Sequence, residues 1–406
     1  MHTRIDSIER TASRHGSIAP AIVAALFVSM AAIALALDRA WIDTAQVELI
    51  RTTEAAALAA ARELATDDLL RPSSTVAIRV AAARQAAEQV SQLNLVVGQP
   101  LPLADGDVTF GKYVYNTSTD TNVFLETELD PQSVVVAGRY ERNRANPIAL
   151  VMRGFGGRRT ADLARISVAT LDNQLIGVRA GRHLPIPALP LAILDVDPQG
   201  ARLDTWQSQI IGGLGADAYG YNLQTGLVTT ASDGIPEMLL SSAPAGTAAS
   251  VATGNMCLID FVGQYDAKHA AQMIAKGLTK TDLTSLQSEI SLTNLPPAVA
   301  ASFTIGDTEY AALQPLVGEC RICFLCGLTP PVGSTSTAPF VSITGLVAGR
   351  ILSLTRLAGQ PCQIVFQPAV IITRAAQTVD DLLDTAEAAQ STVVGNPYIY
   401  KLTLTQ

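Results

Sequence analysis

The sequence predicts an α+β protein in which one long N-terminal helix precedes a strand-rich body. The run from Ser17 to Leu37 is uncharged and apolar, and a helical pattern continues from Asp38 to Thr66 without a Gly or Pro. From Asp107 onwards, short β-branched segments alternate with turn residues, which indicates antiparallel strands. Charged residues make up only 16% of the chain, too few for a disordered protein, so we expect the body to fold.

These patterns divide the 406 residues into five segments. They are a cytoplasmic tip at 1–16, a transmembrane helix at 17–37, its extracytoplasmic continuation at 38–66, a helix-plus-antiparallel-sheet domain at 67–171 and a β-rich second domain at 172–406. Ser73–Leu93 is predicted as a second helix with an amphipathic face for the first. In the second domain we expect helices at Asp266–Lys276, with Asp266 as N-cap, and at Thr281–Glu289.

The apolar run has the length of a membrane span. At about 1.5 Å per residue, the segment from Ser17 to Leu37 covers roughly 30 Å, the thickness of one hydrocarbon core, so we expect it to contact membrane lipid. Arg4, Arg10 and Arg14 precede the run, which predicts a cytoplasmic N-terminus and a body outside the cytoplasm. Two alternatives stay open: a cleaved signal peptide, although the run is long for one, and a buried helix, although it has no polar face.

The charge pattern and the low His and Cys content narrow the function classes. The formal net charge is −8, and Lys and Arg are scattered along the chain, which argues against nucleic-acid binding. Four His and five Cys leave little material for a metal centre or a His-based catalytic site. No G-x-S-x-G nucleophile motif occurs. We predict no catalytic residue, no metal site and no cofactor.

The cysteines are the strongest candidates for covalent or metal chemistry. Cys320, Cys323 and Cys326 form a C-x-x-C-x-x-C run, a spacing typical of loops that bind zinc or iron–sulfur clusters. The intervening residues are mostly apolar and no fourth ligand is nearby, and disulfides are the commoner use of Cys in an exported domain. Cys257 and Cys362 could each pair with one of the three. The alternatives are therefore disulfides, buried free thiols and a metal site.

A group of acids and one histidine are weaker candidates. Asp195 and Asp197 fit the opening positions of a calcium-binding loop, but Trp206 stands where such a loop needs its bidentate Glu. We therefore predict that Asp195, Asp197 and the nearby Asp204 are solvated acids beside a strand end. His269 lies on the face of a predicted helix and is predicted as a surface residue.

The N-terminal region has a specific arrangement: a basic tip, a Gly-Ser pair, the apolar span, an acid and an Ala-rich helix. It resembles the N-terminal region of the TadE/TadG-like proteins of Flp (tight adherence) pilus assembly. The matching positions are Gly16, Ser17, Asp38, Leu49 and the run Glu54 to Ala61. In the body, segments such as Gln363 to Ala369 resemble TadG-like proteins with less specificity.

The chain departs from the family pattern at two points. TadE-type prepilins carry a Glu five residues after the processing Gly, where this chain has Ala21, so we expect the N-terminus to be retained. TadG proteins often carry a von Willebrand A domain with a D-x-S-x-S metal motif. No such motif occurs here, so metal-dependent adhesion is not implied.

The resemblance implies a single-pass protein of the bacterial inner membrane, with a pilin-like domain at 67–171 and a periplasmic or extracellular body. Its implied function is that of a minor-pilin-like structural or assembly component of a surface pilus, not an enzyme. The implied partners are other pilin-like or pilus-assembly proteins. Two other function classes stay open: a membrane-tethered binding or adhesion module, and an envelope enzyme unrelated to pili.

Overall fold

The computed structural model describes residues 18–116, 118–119, 121–152, 159–243, 254–296, 298–327, 340–357, 360–382 and 393–405. The predicted tip at 1–16, with Gly16, and the first residue of the predicted span, Ser17, lie outside the described residues. Within them the protein is a mixed α+β structure with one long apolar N-terminal helix and a strand-rich body. The predicted fold class is confirmed at this level.

Five α-helices lie in the described residues: α1 (Ala19–Leu64), α2 (Val76–Leu93), α3 (Ala267–Lys276), α4 (Asp307–Leu313) and α5 (Val379–Leu382). α1 has 46 residues and is therefore about 70 Å long. The Thr75 hydroxyl accepts the N–H of Ile78 and caps α2. Asp266 caps α3 by accepting the N–H of Lys268, as the sequence predicts.

The strands fall into two groups along the chain. The first nine are β1 (Leu95–Val96), β2 (Gln99–Pro100), β3 (Val108–Asn116), β4 (Thr121–Glu126), β5 (Ser133–Tyr140), β6 (Ile148–Ala149), β7 (Thr160–Ala161), β8 (Leu163–Asp172) and β9 (Leu175–Arg179). The others are β10 (Ala188–Leu194), β11 (Gly220–Asn222), β12 (Leu227–Thr229), β13 (Met238–Ser241), β14 (Met256–Asp260), β15 (Glu289–Ser291), β16 (Val299–Ser302), β17 (Cys320–Gly327), β18 (Phe340–Thr355), β19 (Gln363–Pro368), β20 (Ile371–Ile372), β21 (Ala376–Thr378) and β22 (Ile399–Thr405).

The first sheet carries the long helix. Its six strands lie in the order β20-β22-β8-β5-β3-β4, and every neighbouring pair except β20–β22 is antiparallel. Small residues of α1 and α2 meet the β-branched face of β5, and Phe110 of β3 completes this core. The core of the first domain therefore lies between a helix pair and one face of the sheet.

The first sheet includes a strand from the far end of the chain. β22 pairs antiparallel with β8, from Lys401 opposite Asp172 to Thr405 opposite Val168. The sequence-based division at residue 171 assigns this segment to the second domain, whereas its strand pairs with β8 of the first sheet. Periodicity identifies a strand but not its partner, and a pairing over such a separation is decided by tertiary packing.

The second sheet closes on itself. Its order is β13-β19-β18-β16-β14-β10-β17, and β17 also pairs with β18. β18, β16, β14, β10 and β17 therefore form a closed ring of five strands, with β19 and β13 as an extension. A ring with an odd number of strands must contain at least one parallel pair, and here β10–β17 is parallel. The ring encloses a large apolar core that includes Leu191, Leu258 and Phe324.

The predicted helix at Thr281–Glu289 is wrong. The segment forms a single 3₁₀ turn at Thr284–Leu286 and then enters β15 at Glu289. Gln287 and Ser288 have φ values of 56° and 70°, and this left-handed conformation ends a helix.

Candidate functional site: the long helix and its junction with the body

The first half of α1, Ala19–Leu37, is called the membrane half here. Its large apolar side chains are more than half exposed at Ile22, Leu26, Phe27, Val28, Met30, Ile33 and Leu35. Among the described residues, α1 alone is long and apolar enough to cross a membrane. A surface of this composition is stable when lipid rather than water surrounds it.

The second half of α1, Asp38–Leu64, is called the body half. Its buried residues recur at helical spacing and are Asp38, Ala45, Leu49, Thr52, Thr53, Ala56, Ala57, Ala60, Ala61 and Leu64. Those from Ala45 onwards pack against α2, β5 and β8. A Cβ at Gly138 of β5 would lie 2.5 Å from Thr53 Cγ2 and 2.8 Å from Leu49 Cδ1, so the close approach of helix and sheet requires glycine there.

Polar contacts fix the body half against the β6–β7 hairpin and against the turn after β1. The Asp38 carboxylate accepts the N–H of Met152 at 2.9 Å, and Trp41 Nε1 donates to the carbonyl of Ala149 at 3.1 Å. Farther along, Glu48 accepts the N–H of Val97 at 2.6 Å. The hairpin of β6 and β7 is thereby held beside the first residues after the membrane half.

A cavity of about 1180 Å³ lies beside Trp41. Its walls include Val97, Leu101, Tyr140 and Ile148, and no carboxylate, imidazole or thiol belongs to the described residues that line it. Burial raises the pKa of Tyr140 to about 12, so its hydroxyl stays protonated and donates to the carbonyl of Pro100. The lining can bind an apolar group but offers no evident acid–base chemistry.

A buried ion pair joins the 3₁₀ turn Asp67–Leu70, which follows α1, to the second sheet. Arg350 of β18 donates to Asp67 at 2.7 Å, and the side chains of both residues are only 6% exposed. The other Asp67 oxygen accepts the N–H of Val370 at 2.7 Å. The Arg350 guanidinium also donates to the carbonyl of Gly318 and lies 3.6 Å from the centre of the Tyr221 ring. The junction between the two sheets is therefore a specific, desolvated contact.

The structure holds all five cysteines as free thiols, and four of them are buried. The candidate disulfide residues are Cys257, Cys320, Cys323, Cys326 and Cys362. Cys320, Cys323 and Cys326 lie on one strand, β17. Side chains alternate between the two faces of a strand, so residues three apart point to opposite faces and the three thiols do not converge. No group of His, Cys, Asp or Glu in the described residues is arranged to hold a metal ion. Disulfide formation stays a prediction.

Burial also disfavours thiolate chemistry. Desolvation raises the pKa of Cys320 to about 12 and that of Cys362 to about 11. A hydrogen bond with Cys326, together with desolvation, raises the pKa of Cys257. Because the thiolate is the nucleophile and metal ligand, these side chains behave as small core residues.

The acids near Trp206 cap local structure. Asp197 accepts the N–H groups of Gln199, Ala201 and Arg202, and these hydrogen bonds, the first the strongest, lower its pKa despite some desolvation. Asp195 accepts the hydroxyl of Thr344. The carboxylates are thus spread among backbone and side-chain donors.

His269 is not a free surface residue. Its Nδ1 lies 2.9 Å from Asp260 Oδ2 and its Nε2 lies 3.0 Å from Asp282 Oδ1. Asp260 is 1% exposed and stands at the end of β14. The sequence signal was a His three residues after the N-cap of an amphipathic helix, but nothing in the sequence showed which carboxylates would meet it.

Comparison with known proteins finds no matching family model, no matching curated protein and no matching solved structure. The fold and the site geometry are thus the basis for any functional proposal, together with the N-terminal sequence pattern.

Proposed function

We propose that the protein is a minor-pilin-like structural or assembly component of a Flp/Tad-type surface pilus, anchored in the bacterial inner membrane by the membrane half of α1. One observation carries the proposal: α1 runs without a break from an exposed apolar half into a half that forms the core of the body. A simple tether needs only the span. The TadE/TadG-like pattern at Gly16, Ser17 and Asp38 gives further support.

In the proposed topology the N-terminus is cytoplasmic and the body is periplasmic or extracellular, because Arg4, Arg10 and Arg14 precede the span. A periplasm-active reporter fused after Leu93 should be active, and one fused before Arg10 inactive. The reverse pattern would invert the topology.

Because Ala21 replaces the prepilin Glu, mass spectrometry of the membrane-extracted protein should find peptides upstream of Gly16. A mature protein that starts at Ser17 would contradict retention.

The exposed surfaces suggest where we would look for contacts with other subunits. Leu49 and Ala60 are fully buried by the protein's own body, so the body half cannot offer its apolar stripe to a partner. Phe27 in the membrane half is 63% exposed. We therefore expect pilin-like helices to pack against the membrane half inside the bilayer, where its many small residues permit close approach.

A photo-crosslinking amino acid at Phe27, with the same group at Leu49 as matched control, tests this arrangement in intact cells. Position 27 should capture pilin-like or assembly proteins, and position 49 should give only intramolecular products.

Deletion of the gene should impair fibre assembly, and the wild-type gene should restore it. Normal fibres after deletion, with no partner at position 27, would contradict the pilus proposal.

That outcome would favour a membrane-tethered binding module. The observation that supports this second candidate is the mostly apolar cavity beside Trp41, whose volume of about 1180 Å³ is somewhat above the ~300–1,000 Å³ usual for ligand sites.

A further inference from the structure

Asp260, His269 and Asp282 form a contact that the proposed function does not use, and it is called the His269 contact here. Each ring nitrogen of His269 lies 2.9 or 3.0 Å from a carboxylate oxygen. A neutral imidazole has one N–H and one lone pair, so it can donate to only one carboxylate. Both contacts are hydrogen bonds donated by the ring only when His269 is an imidazolium. The geometry therefore fits a charged ring between two carboxylates.

Both carboxylates are held in place by other donors as well. Asp260 Oδ1 accepts the N–H of Val262, and Asp282 Oδ2 accepts both the N–H and the hydroxyl of Thr279. These donors fix the two carboxylates on either side of the His269 ring.

The other titratable groups near α3 make no contact with the His269 ring among the described contacts. β10, which packs against α3, has no titratable side chain, and β14, which also packs against it, carries Cys257 besides Asp260; Cys257 is hydrogen-bonded with Cys326. The neighbouring α4 carries Asp307, Glu309 and Tyr310, and Glu309 accepts the hydroxyl of Tyr265 at 2.8 Å. The charged residues of α3 and the following turn are Asp266, Lys268, Lys276 and Lys280. Among the described contacts, only Asp260 and Asp282 meet the His269 ring.

We propose that the His269 contact is a proton-dependent clamp that holds the segment 279–286 against β14 and α3, and that loosens as the pH rises. The segment carries Asp282 and also Ser285 and Leu286, which line a cavity of about 330 Å³ next to Asp260 and Phe261. Release of Asp282 would free one wall of this cavity. A change of pH in the cell envelope would thus change how firmly the segment 279–286 is held against β14 and α3.

The direction follows from the environment of the ring. Desolvation lowers the pKa of His269, but the hydrogen bonds to Asp260 and Asp282 and their charges outweigh it and raise the pKa above its ordinary 6.5. A raised pKa in the folded state means that the clamp stabilises fully below about pH 6.5 and is lost as the pH rises through the folded-state pKa.

Hydrogen exchange on the purified full chain tests the clamp. Deuterium uptake is measured for peptides that cover 267–286 at about pH 6 and about pH 8.5. Exchange times are corrected for the pH dependence of intrinsic exchange, and peptides from β18 serve as the internal reference. In the wild type, protection of 279–286 should fall between the two pH values, roughly tenfold for each unit by which the pKa is raised. His269→Gln should have low protection at both pH values. His183→Gln, at an exposed position before β10, is the matched control and should behave as the wild type.

The same pH dependence in the wild type and His269→Gln, or protection that increases with pH, would overturn the proposal. If His269→Gln fails to fold, Asp282→Asn replaces it, since this change keeps the side-chain shape and removes one charge. An NMR titration of the His269 imidazole should then give a lower midpoint in Asp282→Asn than in the wild type. An unchanged midpoint would also overturn the clamp.

Discussion

The two halves of α1 belong to one helix and share an apolar, Ala-rich composition, yet they meet different surroundings. The membrane half exposes Leu26, Phe27 and Ile33, whereas the body half buries Ala56 and Ala60 completely. The difference lies in the placement of large and small residues. Large apolar side chains all around the first half are compatible with a membrane span, while a stripe of small residues on the second half permits contact with a sheet.

The polar residues follow the same division. Arg39, Asp43, Arg51 and Arg62 are exposed on the body half, opposite its buried stripe, and the described part of the membrane half has no charged residue. Mean composition would not distinguish a membrane span from a core helix, but the presence of a polar face does. Matched substitutions in the two halves of α1, or at the contacts between α1 and the body, test this difference.

The largest effect is expected from charge in the membrane half. Leu26→Arg combined with Ile33→Arg should release the protein from the membrane or lead to its degradation, since each Arg costs about 2.5–3.5 kcal/mol at mid-bilayer on insertion scales. Val47→Arg is the control, because Val47 lies on the body half and is 48% exposed. Alkaline extraction of membranes measures retention. Full retention of the double variant would show that the membrane half does not span a bilayer.

The next effect concerns the pair that joins the turn after α1 to β18. Arg350→Met leaves the Asp67 carboxylate buried without its cation and should reduce the free energy of unfolding by about 3–5 kcal/mol. Denaturant unfolding, followed by Trp fluorescence, measures it. Arg39→Met removes a pair whose side chains are 73% and 51% exposed and should cost about 0–1 kcal/mol.

A double variant tests whether the stability loss in Arg350→Met comes from the unpaired charge of Asp67 or from lost packing at the junction. Asp67→Leu combined with Arg350→Met removes both charges and should recover much of the lost stability, because the desolvation cost disappears with the pair. Equal stability of Arg350→Met and Arg39→Met would show that the junction does not depend on the ion pair.

A smaller effect comes from the same substitution in both halves. Ala60→Leu should destabilise the body by about 1–3 kcal/mol, because Ala60 is fully buried between α1, α2 and the sheet and a larger side chain overpacks that core. Ala32→Leu lies on an exposed position of the membrane half and should leave unfolding of the body unchanged. Similar curves for the two variants would mean that the body half is not packed as described.

The long helix was predictable because its signals are local. An uncharged run up to Leu37, the absence of Gly and Pro from Asp38 to Thr66, and a small-residue stripe at helical spacing are all local signals, and α1 covers Ala19–Leu64 accordingly. The same holds for β8, whose burial alternates along the strand, and for β5, which is β-branched at its start. The capping of α3 by Asp266 is also local and is confirmed.

The parts that could not be predicted depend on distant partners. β22 joins β8, Asp67 meets Arg350, and His269 meets Asp282, and none of these pairings leaves a periodic trace in the sequence. The closed ring of strands also escaped, because closure depends on β17 pairing with both β10 and β18. Local patterns thus give elements, while tertiary packing selects which elements meet.

The smallest effect is expected at the boundary between the two halves. Trp41 donates from Nε1 to the carbonyl of Ala149, and its ring packs against the cluster that contains Ala45 and Leu101. Trp41→Phe keeps an aromatic ring there but removes the donor, so the body should lose about 0.5–1.5 kcal/mol. Since the hydrogen bond holds the β6–β7 hairpin, hydrogen exchange of Ile148–Ala149 should increase. Thr44→Ala removes a bond to Ala40 inside α1 and should leave the hairpin unaffected. An unchanged hairpin in Trp41→Phe would mean that Asp38, through Met152, suffices to hold the body beside the membrane half.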